Sequence, residues 1–134
     1  MVFRAQGRYT EAMARLEESL EVVRSVLGDA HLEVAETLDA IGGALIEQGR
    51  LAEALVNCDE SLRIRRAALG RDHVDCDAPL FDRALVKERL GDAPGAQADL
   101  RECLEICVRA LGDAHERTVK RREVLARLEA VGGS

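Results

Sequence analysis

The feature that most limits how this chain can fold is an internal period of 42 residues. Leu27 to His31 reads LGDAH, Leu69 to His73 reads LGRDH, and Leu111 to His115 reads LGDAH again. A second marker keeps the same step, with GRYTEA from Gly7, GRLAEA from Gly49 and GDAPGA from Gly91. Two markers in one register leave little room for coincidence, and a fixed period of this kind is the mark of stacked supersecondary units.

The stretches between markers have helical periodicity. Leu16, Leu20, Val23 and Leu27 follow one another at steps of four, three and four, which lines one face of a helix. Gly28, Gly70 and Gly112 fall just past such runs, where a helix ends easily in a residue without a β-carbon, and Gly7, Gly49 and Gly91 mark the other turn. The pattern predicts helices at 9–27, 31–48, 52–69, 73–90, 94–111 and 115–131, joined by turns short enough to make neighbours antiparallel. Pro79 disturbs the fourth of these, because a helix begun at His73 would lose a hydrogen bond there. A later start, capped by Asp77 with Pro79 in the first turn, is favoured.

At 134 residues the chain fits a single all-α domain. Its net charge of −6 and its scarce aromatics, Phe3, Tyr9 and Phe81, argue against a nucleic-acid partner. No apolar run reaches the ~20 residues of a bilayer span, so no membrane role is expected and an aqueous, cytoplasmic setting is. The four cysteines, Cys58, Cys76, Cys103 and Cys107, form no CxxC pair and are expected to be reduced.

Residues that could carry chemistry fit structural roles better. His31, His73 and His115 occupy one position of the period, as turn-packing residues would and a single catalytic or metal-binding histidine would not. Asp29, Asp72 and Asp113 read as turn and cap residues. Cys103 and Cys107 share a helical face but make half a zinc site, so burial as small apolar side chains is expected. Pairs such as Glu11 with Arg15, Glu105 with Arg109 and Glu123 with Arg127 suit a solvated face. The run Lys120, Arg121, Arg122 is the one basic patch, too small to carry a function alone. No phosphate loop or nucleophile turn is present, so no enzyme, cofactor or metal is expected.

With these residues in view, the stretch from His31 to His73 resembles the kinesin-light-chain type of tetratricopeptide repeat. Leu38, Ile41, Gly42 and Leu45 match that family's large, large, small and large positions on the first helix of a unit, and Gly49, Ala54 and Ser61 its turn glycine and small residues. The resemblance spans the chain but weakens from the middle. Arg83 and Lys87 replace apolar residues and predict looser packing or outward-reaching stems. Arg122 and Glu129 suit an end cap. Val2 and Phe3 look like the last turn of an earlier helix, so the chain is expected to be part of a longer array.

The resemblance implies a right-handed superhelical stack of antiparallel hairpins, a tetratricopeptide α-solenoid. It also implies a protein–protein interaction scaffold whose first helices line a concave, peptide-binding face. The family's asparagine clamp is missing, since Asp39 and Ala40, Phe81 and Asp82, and Glu123 and Val124 stand in its place. The candidate partner-binding residues are Glu36, Asp39, Gly43 and Glu47 from one helix and Phe81, Leu85 and Arg89 from the next. They suit a protein or peptide segment with a basic residue followed by a large apolar one. The alternative is a structural spacer or a segment that self-associates into a homo-oligomer through uncovered terminal helices, with Leu125, Leu128 and Val131 exposed.

Overall fold

A computed structural model describes residues 2–132, with side chains from 8 to 130. The helices are α1 (Val2–Leu27), α2 (Leu32–Glu47), α3 (Leu51–Leu69), α4 (Asp77–Arg89), α5 (Ala93–Leu111) and α6 (Glu116–Gly132), with one 3-10 turn at Val74–Cys76 before α4. There is no strand among the described residues. The helices α2 and α3 form one hairpin and α4 and α5 the next, while α1 packs on α2 and α6 on α5. The result is a right-handed superhelical stack in two layers, with α2, α4 and α6 in one and α1, α3 and α5 in the other.

Local sequence explains where the helices stop. Gly49 takes φ +75, its N–H donates to the Ile46 carbonyl at 3.0 Å, and the Arg50 N–H reaches back to Leu45 at 2.9 Å. That pair of bonds satisfies carbonyls a helix end leaves open, and the positive φ is cheap only for glycine. Lys87, Glu88, Gly91 and Asp92 repeat the arrangement one unit later. Gly7, expected at an equivalent turn, lies inside α1, which runs unbroken from Val2 instead of starting at residue 9. The helix runs through this glycine at the ~1 kcal/mol cost of one interior glycine.

The three histidines are caps, not turn-packing residues. Each is exposed, and Nδ1 of His31, His73 and His115 accepts the backbone N–H of Glu33, Asp75 and Arg117 at 3.1, 3.0 and 3.1 Å. A first-turn N–H without an intrahelical acceptor is satisfied once per unit in this way. The late start of α4 is observed, but its cap position is Cys76, which makes no side-chain cap bond, and Asp77 is the first helical residue. The Asp77 carboxylate is spent elsewhere.

Among the described residues the core consists of three clusters, each drawing on helices of more than one hairpin or half-hairpin. Leu62 of α3 joins Leu80 and Ala84 of α4, Leu100 and Cys103 of α5, and Leu125 and Leu128 of α6 in one cluster. Leu125 and Leu128 are therefore covered, at 8% and 3% exposure, which overturns the expectation of an apolar face on the last helix. Val131 lies outside the described side chains. The layer of α1, α3 and α5 is tied by a bridge that obeys the period. Arg24 donates to Glu60 at 2.6 Å, and Arg66, one period on, donates to Glu102, one period beyond Glu60.

Candidate functional site

The layer of first helices carries the predicted partner-binding residues, and the structure divides them into engaged and available groups. Asp39 is engaged. Ser61 Oγ donates to its Oδ1 at 2.6 Å, Arg65 pairs with Oδ2, and Arg65 Nε also donates to Ser61 Oγ at 3.2 Å, which locks α2 to α3. Glu47 is the hydrogen-bond partner of the Tyr9 hydroxyl on α1, which is held above its usual range by that contact. Glu36 and Arg89 are exposed and carry no ion pair among the described residues, while Gly43, Phe81 and Leu85 are half-buried.

One period beyond Asp39, Ser61 and Arg65 stand Phe81, Cys103 and Cys107, so the polar lock of the first hairpin becomes an apolar patch in the second. Arg121 of α6 covers it, with its guanidinium carbon 3.9 Å from the Phe81 ring centroid, close enough for a cation–π attraction. The same guanidinium donates through Nε and Nη2 to both oxygens of Asp77, at 3.0 and 2.8 Å. Asp77 is fully buried, and Arg117 approaches it at 3.7 Å. Sequence reasoning missed this pair. Its signal was a double departure from the period, since Asp77 stands where the first unit has Ala35 and Arg121 where the second has Pro79.

The basic patch of residues 120–122 does not exist as a unit. Arg121 is turned onto Asp77, and Arg122 pairs with Asp113 at 2.9 Å. The expected same-helix pairs also give way, because Arg127 binds Glu88 of α4 at 2.7 Å and Arg109 faces Asp72 at 3.6 Å. Arg83 and Lys87 do not reach outward. Arg83 donates to both oxygens of Asp99 at 2.9 and 2.8 Å and to Asp59 at 3.0 Å, and Lys87 adds a contact to Asp99 at 3.1 Å.

Asp82, beside Phe81 on α4, is the acid of this layer that sequence reasoning left out of the site. It makes no hydrogen bond or ion pair among the described residues. Burial first, then the neighbouring Asp39 and Asp77, push its carboxyl above the ordinary range, against the pull of Arg121. Because the folded-state pKa is raised, this group favours the fold below the unfolded value and the benefit is lost as pH rises through the folded one. Asp82→Asn is therefore expected to raise the thermal midpoint at pH 7 and to flatten its acid-side pH dependence. A lower midpoint at pH 7 than that of the parent would show that the carboxylate is paired.

The thiols are poor nucleophiles. All four are buried, and burial pushes Cys58 up to about 12 and, with a hydrogen bond to Asp77, Cys107 up to about 11. No group of three or more metal-ligating side chains is assembled among the described residues. Among the described residues no helix is long and apolar enough to cross a membrane.

A helical-repeat stack in a fixed register, with a polar face on its first helices, defines a class of scaffold that mediates protein–protein interaction. The chain belongs to the tetratricopeptide-repeat family, whose family model, Tetratricopeptide repeat, matches residues 1–67 and 33–107. No curated protein matches the sequence. Among solved structures it is similar to a Podosopora anserina protein described as a kinesin light chain with nearly identical TPR-like repeats. That likeness has a TM-score of 0.85 and 20% identity, over 98% of this chain and 62% of that one. A single-substitution variant of the same protein gives the same values. BtubC (BKLC) from P. vanneervenii matches with a TM-score of 0.83 and 15% identity, over 95% of this chain and 51% of that one. At these identities the likeness establishes the fold, a stack of the kinesin-light-chain type. The chain spans about three fifths of the first two proteins' length and half of the third's.

Proposed function

We propose that the chain is a non-enzymatic, cytoplasmic scaffold that holds a segment of a partner protein on the concave face of α2, α4 and α6. The observation that carries this reading is Asp82, a half-buried carboxylate that has no hydrogen-bond or ion-pair partner among the described residues, beside the Phe81 ring and the half-buried Leu85. An acid placed next to an apolar surface suits a segment with a basic residue followed by a large apolar one. Glu36 adds negative charge at the rim. Asp39 shapes the face from within the α2 to α3 lock, and Gly43 keeps the adjacent surface low.

The test is a fluorescence-anisotropy screen of basic-apolar peptides against the chain and against Asp82→Arg, Glu36→Arg and Phe81→Ala. Loss of a desolvated charge partner costs a factor of about ten or more, so Asp82→Arg is expected to weaken selected peptides by at least that much. Equal binding by all variants would refute the face. Asp39 is unsuited to charge reversal because its loss would also open the α2 to α3 lock.

A second reading, a spacer or self-associating segment of a longer array, draws on α1. Val22 and Val26 of that helix are 58% and 74% exposed. A single monomeric species in sedimentation at high concentration would count against self-association.

A further inference from the structure

A groove of about 310 Å³ opens between α1 and α3, with α2 as its floor, in the layer opposite the proposed peptide face. Its volume sits at the lower end of the range for ligand pockets, ~300–1,000 Å³. Met13, Ile41, Leu45 and Val56 supply the apolar lining, and Glu17 and Asn57 supply polar groups.

The equivalent place one period further on is filled by the chain itself. There Asp59 stands for Glu17, Asp99 for Asn57, and Arg83 and Lys87 for Ile41 and Leu45. In that second unit the Arg83 guanidinium is held by the two oxygens of Asp99 and by Asp59, and Lys87 lies beside it. The first unit keeps oxygen acceptors at both equivalent places but has lost the cation, because isoleucine and leucine replace the two basic residues. Neither Glu17 nor the Asn57 side chain has a hydrogen bond or ion pair among the described residues. The other acid of the rim, Glu53, is already held by Arg50 through two bonds of 3.0 and 2.6 Å.

We propose that this groove receives an arginine side chain of a partner protein, with its guanidinium between Glu17 and Asn57 and its stem along Ile41, Leu45 and Met13. A planar guanidinium suits this arrangement because it donates in two directions at once while its methylene stem covers apolar surface. The complementarity is of charge as well as shape, since the floor beneath Glu17 is apolar and the nearest cation, Arg50, is hydrogen-bonded to Glu53 and acts on Glu17 only through space. The site is separate from the peptide face of α2, α4 and α6 and stands or falls independently of it.

The test is a titration of the isotopically labelled chain with N-acetyl-arginine amide, followed by two-dimensional amide NMR, with N-acetyl-citrulline amide as the neutral isostere. Saturable shifts are expected at the Asn57 side-chain amide and along residues 53–57, with none from citrulline. Asn57→Asp, which restores the acid found at Asp99, is expected to tighten binding by about tenfold, and Glu17→Gln to weaken it by a similar factor. Ile41→Arg with Asn57→Asp supplies an internal guanidinium and is expected to abolish binding. Glu17 is exposed, so its variant tests the site without threatening the fold. Equal shifts from citrulline, an affinity unmoved by Glu17→Gln and Asn57→Asp, or shifts centred on Phe81 and Asp82 would each overturn the assignment.

Discussion

Arg121→Ala is expected to cost about 3–5 kcal/mol, because it leaves the Asp77 carboxylate fully buried with no close cation. Asp77 cannot turn to water, since it is the first residue of α4 and is enclosed by α5 and α6. Arg117, at 3.7 Å and half exposed, is too distant to replace a two-bond contact. The loss should fall on α6, which packs on α5 and gains its hold on α4 through this pair and the Arg127 to Glu88 bridge. Hydrogen exchange is expected to show residues 116–132 opening first, with the thermal midpoint lowered by roughly 10–20 °C. Asp77→Ala with Arg121→Met should recover most of the loss, because it removes both charges and restores the alanine that the first unit carries at Ala35. An Arg121→Ala variant as stable as the parent would mean that Arg117 and Cys107 suffice to hold the buried acid.

Asp99→Ala is the second large effect, and its meaning depends on a companion variant. Removing Asp99 takes the principal partner from Arg83 and the close partner from Lys87, whose side chains are 17% and 22% exposed. Breaking a buried pair costs about 3–5 kcal/mol, and the low end applies here because Asp59 still holds Arg83 and both stems can shift toward solvent. Arg83→Ile, Lys87→Leu and Asp99→Asn together convert the site to the pattern of Ile41, Leu45 and Asn57. That triple variant is expected to be as stable as the parent or more so, since apolar contacts replace ions that had to be desolvated. Chemical denaturation distinguishes the cases. A triple variant less stable than Asp99→Ala would mean that the charges set the packing of α4 on α5 in a way the apolar set cannot.

Much of the fold was legible because its signals are local. Gly49 and Gly91 end helices through bonds that span five residues, and His31, His73 and His115 cap helices through bonds that span two. Interactions this short recur wherever the sequence recurs, so the 42-residue step in the letters is also a step in space. The candidate site was only partly legible. Phe81 and Leu85 follow from their helical position, but nothing near Asp39 in the chain announces that Ser61 and Arg65 will occupy it.

The amino-acid sequence by itself determined the helical class, the register of the units and the kinesin-light-chain type of tetratricopeptide stack. Each of these depends on periodic apolar residues and on turns that close within a few residues. The tertiary structure alone decided which charges are spent and which remain. Arg121 finds Asp77 across 44 positions, Arg127 leaves its helical neighbour Glu123 for Glu88, and Asp82 and Glu17 are left unpaired among the described residues. Charged side chains are long and choose among several acceptors within reach. Only the packing of helices distant in sequence fixes which acceptor is nearest and how much water it retains.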